Sequence, residues 1–183
     1  MPNAPTTSSA ATSSDIGARQ MFHVTINGSI DDVWREITRT DSVIPCFFNM
    51  RMHLPEGTRI GGPLRMRSGN GKITGVVGEI VEWNPPRRFA HTFKFTQFDD
   101  PPCTVIYELR ETGNGVEFTL TLENVPVGTK TAKQMVQGSQ WIVDTLKATI
   151  EGKPIPFMMR FVHVMGALTA PFSPKRCSSE RWP

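Results

Sequence analysis

The sequence is poor in the residues from which covalent and metal chemistry is usually assembled. Its three cysteines, Cys46, Cys103 and Cys177, stand far apart. Neither a disulfide framework nor a C-x-x-C metal or redox motif can be drawn from them, and reduced thiols suit a cytoplasmic protein. The four histidines, His23, His53, His91 and His163, lack H-E-x-x-H spacing or any other metal pattern. A serine nucleophile is not indicated, because no G-x-S-x-G elbow is present. Gly61-Gly62 and Gly69-Asn70-Gly71 are followed by no helix, so they read as strand-end and turn glycines rather than a phosphate loop. No metal and no cofactor is therefore expected. A basic start followed by an apolar run is missing, so no secretory signal is expected. No apolar run approaches the ~20 residues that span a bilayer.

Charge is present but unevenly placed. Twenty Lys and Arg against 17 Asp and Glu leave a net +3 over 183 residues. Residues 153–183 hold five of the basic groups and only Glu180 as an acid, giving +4, so residues 1–152 sum to −1. A nearly neutral domain does not suit nucleic-acid binding. The basic tail leaves an anionic membrane or an acidic partner open for that segment alone.

Three regions follow from composition. Residues 1–20 contain 13 Ala, Ser, Thr or Pro and cannot bury enough surface to offset ordering, so they read as a disordered leader. Residues 21–152 carry periodic structure, and 153–183 form an apolar, basic C-terminal extension. Within the domain, Met21–Asn27 alternates as a half-buried strand. Ser29, followed by Asp31 and Asp32, predicts an N-cap, with Val33, Trp34 and Ile37 as the apolar stripe of a short helix. A second short helix is expected between Asp41 and Phe48, starting or breaking at Pro45.

Period-two patterns then predominate. Ile60, Gly62, Leu64 and Met66 share one parity, as do Phe89, His91, Phe93 and Phe95. Val105, Tyr107 and Leu109 form a third set, and Val116, Phe118, Leu120 and Leu122 a fourth. Thr112-Gly113-Asn114-Gly115 suits a hairpin turn. Lys72–Trp83 permits two parities, leaving the direction of Glu79 and Glu82 open. From Lys130 to Glu151, Ala132, Met135, Val136, Ser139, Ile142, Val143, Leu146 and Ile150 repeat at helical spacing, stopped by Gly152 and Pro154. The predicted class is α+β: a curved antiparallel sheet wrapped around a long C-terminal helix, with two short helices after the first strand.

At residue level this pattern resembles a known family. Gly78-Glu-Ile80-Val-Glu82-Trp-Asn-Pro85-Pro86-Arg-Arg-Phe89-Ala-His91-Thr-Phe93 is similar to the strand–Pro-Pro–strand signature of the family named after the activator of the heat-shock protein 90 ATPase. Ile30-Asp-Asp-Val33-Trp34-Arg-Glu-Ile37-Thr38 and Trp141…Leu146-Lys147…Glu151-Gly152 fit the same family, over roughly residues 22–152. Its superfamily, SRPBCC, includes START lipid-binding domains and polyketide cyclases and shares the helix-grip fold. Where related bacterial sequences often carry a last-strand histidine, this chain has Leu122. The resemblance implies a cavity between sheet and long helix that binds a small hydrophobic molecule such as a lipid. Polyketide-cyclase-like chemistry, with His91 or Tyr107 moving protons, is implied only by that analogy. A co-chaperone-like or membrane-peripheral interaction module is the rival implication.

The residues expected around such a cavity come from the strands (Leu64, Met66, Phe89, His91, Phe93, Tyr107, Phe118, Leu120) and from the helix (Met135, Ser139, Ile142). Each apolar member also suits ordinary core packing. His91, between Phe89 and Phe93, would either orient a ligand or sit half-buried against a neighbouring group. Residues 154–172 carry Phe157, Phe161, Val164, Met165 and Leu168 on one helical face, destined for the domain's own surface, a second subunit or a membrane interface. Trp141 lies opposite the Ser139 stripe, and the tail is the nearest segment to cover it.

Overall fold

The computed structural model describes residues 17–169 and 172–183. The leader expected over 1–20 lies, as far as residue 16, outside the described residues. Residues 17–20 instead belong to the domain, with the Gly17 N–H donating to the Val125 carbonyl at 2.8 Å, Arg19 pairing with Glu123 and Gln20 opening the first strand. Seven strands, β1 (Gln20–Ile26), β2 (Met50–His53), β3 (Pro63–Ser68), β4 (Thr74–Asn84), β5 (Arg88–Phe95), β6 (Cys103–Thr112) and β7 (Gly115–Glu123), form one sheet in the order β1-β7-β6-β5-β4-β3-β2. Every pairing is antiparallel. Helices α1 (Ile30–Thr38) and α2 (Lys130–Ile150) pack on the concave face, and α3 (Phe157–Thr169) follows. The sheet with a long helix on its face is what the periodicities predict, and the whole is the helix-grip arrangement that the resemblance implies.

Local chemistry sets the helix ends. Ser29 Oγ accepts from the Asp32 N–H at 3.1 Å, and Asp31 and Asp32 complement the positive end of the α1 dipole. Ile30, Val33 and Ile37 are the buried stripe. The second short helix is a single 3-10 turn, Pro45–Phe47. Thr129 Oγ1 accepts from the Ala132 N–H at 3.1 Å to start α2, and Gly152, at φ +64°, ends it.

Several expectations need correction. Ile60 is 55% exposed, because Gly61 turns the chain at φ +77° before β3 begins at Pro63. Strand β2 is four residues with one buried side chain, too short for alternation to register. The parity conflict in β4 is a bulge between Ile80 and Glu82. Ile80 points into the core; past the extra residue Trp83 does, packing edge-on against Phe89 at 4.9 Å and Trp34 at 5.4 Å. Glu79 is therefore exposed, and Glu82 pairs with Arg88. On α2, Val136 is exposed, whereas Gly138 is buried because the helix has a second contact: a Cβ there would stand 3.3 Å from Phe48 Cζ.

Residues 172–183 pack on their own domain. Ser178 bridges Ile73, the Ser179 N–H donates to the Lys72 carbonyl at 3.0 Å, and Arg67 Nη2 donates to the Trp182 carbonyl at 2.7 Å. Arg176 ion-pairs with Asp99. Helix α3 is held through buried Met159 and through His163 Nε2–H, which donates to the Pro45 carbonyl at 3.0 Å.

Candidate functional site

The concave face of the sheet is filled unevenly. At one end α1 packs against β6 and β7 with Val33 and Ile37, and the core there is solid. At the other end a cavity of about 870 Å³ lies between the sheet, α2, α3 and the loop Val43–Met50. That volume is in the range of small-molecule sites. Its floor is made of deeply buried His91, Val105, Tyr107, Leu120 and Leu122. Its rim includes exposed Gln97, Gln134, Gln137, Gly166 and Thr169, so it meets solvent on the α2–α3 side.

Of the eleven expected side chains, Met66, His91, Phe93, Tyr107, Leu120, Met135, Ser139 and Ile142 line this cavity. Leu64, Phe89 and Phe118 do not; all three are fully buried in the hydrophobic core. Phe89 is enclosed by Trp83, Tyr107 and His91, and Phe118 stacks beneath Tyr107 at 6.2 Å. Strand parity places all of these on one face but does not say how far along the face the helices reach. Phe47, Phe48, Phe95 and His163, also in the wall, were not anticipated. Phe48 and Asn49 enter through consecutive left-handed residues, φ +58° and +57°, which no residue pattern announces. Trp141 is half-buried and shares the cavity wall with His163, Gly166 and Thr169 of α3.

His91 is the polar centre of the floor. Its ring stacks on Phe89 at 5.2 Å and on Tyr107 at 5.9 Å. Nδ1 lies 2.7 Å from the Thr92 carbonyl; only a protonated Nδ1 can make that bond, which leaves Nε2 with its lone pair. Nε2 is buried and has no partner among the described residues. Burial without a compensating charge lowers the His91 pKa to about 4. At neutral pH the ring is thus an uncharged acceptor. Tyr107 is its complement. Burial pushes the phenol well above its usual range, so the hydroxyl keeps its proton and is available as a donor. No carboxylate lines the cavity among the described residues. Cys103, beside Met135 with Sγ 3.2 Å from Sδ, is pushed up to about 12 by burial and is unreactive. Among the described residues no three metal-ligating side chains gather.

The sequence profile of the family described as "Activator of Hsp90 ATPase homolog 1-like protein" matches residues 27–151, which span α1 through α2. The chain belongs to this family. Protein MLL2253 from Mesorhizobium loti has the same fold, with a TM-score of 0.60 at 13% identity over 75% of this chain and 99% of that one. The BPP1335 product of Bordetella parapertussis superposes with a TM-score of 0.59 at 16% identity, over 90% and 89%. DynU16, a protein in the dynemicin biosynthetic locus, gives 0.56 at 21% identity over 76% of this chain and 49% of that one. These likenesses establish the fold of this Hsp90-activator-like domain. No curated protein matches the chain.

Proposed function

We propose that this domain binds a small, mostly apolar molecule carrying a hydrogen-bond donor, held between the sheet and α2. The observation that carries the reading is the unpartnered His91 Nε2 in the floor of an aromatic-lined cavity of about 870 Å³. A buried acceptor without a donor is costly, and a ligand hydroxyl or N–H would satisfy it. Tyr107 O–H is the second polar anchor, and Phe93, Leu120, Met135 and Ile142 take up apolar surface. The organisation is a leader up to residue 16, the binding domain from Gly17 to Gly152 and an extension over 153–183, in a cytoplasmic protein. A base with a pKa near 4 drives proton abstraction weakly at neutral pH. We therefore read the site as a binder rather than as a cyclase-like catalyst. Nile red titration tests this: Ser139→Trp should abolish saturable binding, while Arg35→Gln, remote from the cavity, should leave it intact. Equal binding by Ser139→Trp would sink the reading.

A second reading rests on α3, and it is one of membrane contact. Its outer face exposes Phe157, Phe161, Val164 and Leu168, with Phe172 beyond it. Residues 152–179 hold four cations and no acid. No described helix is long and apolar enough to cross a membrane. Arg176 pairs with Asp99 and Lys153 with Glu151, which leaves Arg160 and Lys175 without a carboxylate partner among the described residues. An apolar face with such cations suits the surface of an anionic bilayer. Co-sedimentation with phosphatidylglycerol vesicles, lost in Phe161→Glu, is the expected result. A concentration-dependent dimer that ignores vesicles would refute it.

A further inference from the structure

We propose that Arg51, His53, Arg65 and Arg67 form an oxyanion site on the outer face of the β2–β3 hairpin, fitted to a phosphate group. The register sets Arg51 directly opposite Arg67 and His53 opposite Arg65. The alternating residues Met52, Leu64 and Met66 are buried, which turns all four basic side chains to the outside of the sheet. Like charges directly opposite one another across a ladder are destabilising. The row continues through Val77 to Lys94 on β5, which adds another cation.

The rest of the surface is arranged differently. Eight of the chain's ten other arginines make an ion pair with a carboxylate. Arg51, Arg65 and Arg67 make none among the described residues. Their partners are neutral: Arg65 Nη1 donates to the Leu64 carbonyl at 3.0 Å and the Gly78 carbonyl at 3.3 Å, and Arg67 Nη2 to the Trp182 carbonyl. Those bonds orient the guanidinium groups and leave their charge uncompensated. The Nε atoms of Arg65 and Arg67 are buried without an acceptor among the described residues. Glu79 acts on Arg65 only from beyond ion-pair range. His53 is pushed below its ordinary pKa by partial burial and then by Arg67, Arg51 and Arg65. Three permanent cations, two of them oriented by these bonds, match a phosphate dianion, which accepts from guanidinium in paired bonds. Such an anion would also draw a proton onto His53.

The phosphate could come from a small phosphorylated compound or from a lipid headgroup, and one experiment separates them. His53 is followed by NMR in the full chain while pyrophosphate is added at constant ionic strength, with chloride as the control. Phosphatidylcholine vesicles with and without phosphatidic acid form the second arm. A saturable pyrophosphate response with a rise in the His53 pKa, weakened about tenfold or more in Arg51→Gln and in Arg67→Gln but not in Arg35→Gln, supports a free phosphorylated ligand. A response confined to phosphatidic acid vesicles, with the same dependence on Arg51 and Arg67, supports a headgroup. Binding that is absent in both arms, or unchanged in both variants, overturns the proposal. The outcome is independent of whether the cavity holds a ligand.

Discussion

Replacing His91 by Phe should remove a specific part of the protein's acid sensitivity. The native ring is buried and its pKa is about 4, against 6.5 for an unperturbed imidazole. Between those two values the unfolded chain binds a proton and the folded chain does not, so stability falls as pH drops through that window. The difference of 2.5, from 6.5 minus 4, corresponds to about 3 kcal/mol, fully expressed below pH 4 and absent above pH 6.5. Phe suits the position, since Phe89, Tyr107 and Phe93 already surround the ring, and it removes the orphaned Nε2. The variant forfeits the Thr92 contact, so near neutral pH it should lie within roughly 1 kcal/mol of the parent. Urea unfolding near pH 7 and near pH 4 measures both. The parent should lose about 3 kcal/mol more than the variant between the two. His53 contributes with the same sign but remains in both proteins, so the comparison cancels it. Equal acid losses in parent and variant would refute the buried, neutral imidazole.

Three further outcomes follow from particular contacts. Glu151 accepts from the Asn27 N–H at 3.0 Å and pairs with Lys147 and Lys153, which hold its pKa near 2. Its stabilisation is complete above pH 4.5 and lost as pH falls through about 2, so the gap between the parent and Glu151→Gln should close in that range by thermal melting; a constant gap would contradict it. At Gly78 a Cβ would stand 1.8 Å from the Thr92 carbonyl oxygen on β5, so Gly78→Ala should cost about 3 kcal/mol or more in urea unfolding, whereas an ordinary surface change costs little. Ending the chain after Gly152 removes buried Met159 and Cys177 and the Trp182 carbonyl that anchors Arg67. That product should melt several degrees lower, and an unchanged melting temperature would show that the extension contributes nothing to the domain.

The regular parts of this fold are legible because their chemistry is local. Ser29, Asp31 and Asp32 announce α1, Gly152 ends α2, and strict alternation exposes β5, β6 and β7. Where structure depends on distant partners, alternation fails. Strand β2 exists because β3 pairs with it, and the β4 bulge reverses parity between Ile80 and Trp83. The cavity illustrates the same limit. Parity places His91, Tyr107 and Phe89 together on the concave face. Only the reach of α1 decides that Phe89 joins the solid core while His91 and Tyr107 face open space. Phe47 and Phe48 close the wall through a left-handed turn that composition does not signal.

Native mass spectrometry of the purified full chain, set against Ser139→Trp, tests the binding claim most directly. The account predicts that the parent carries, or takes up from added lipid extract, a small apolar compound that is released on denaturation and is missing from the tryptophan variant. A parent that stays bare under the same conditions, or a variant that holds the compound equally well, would contradict it.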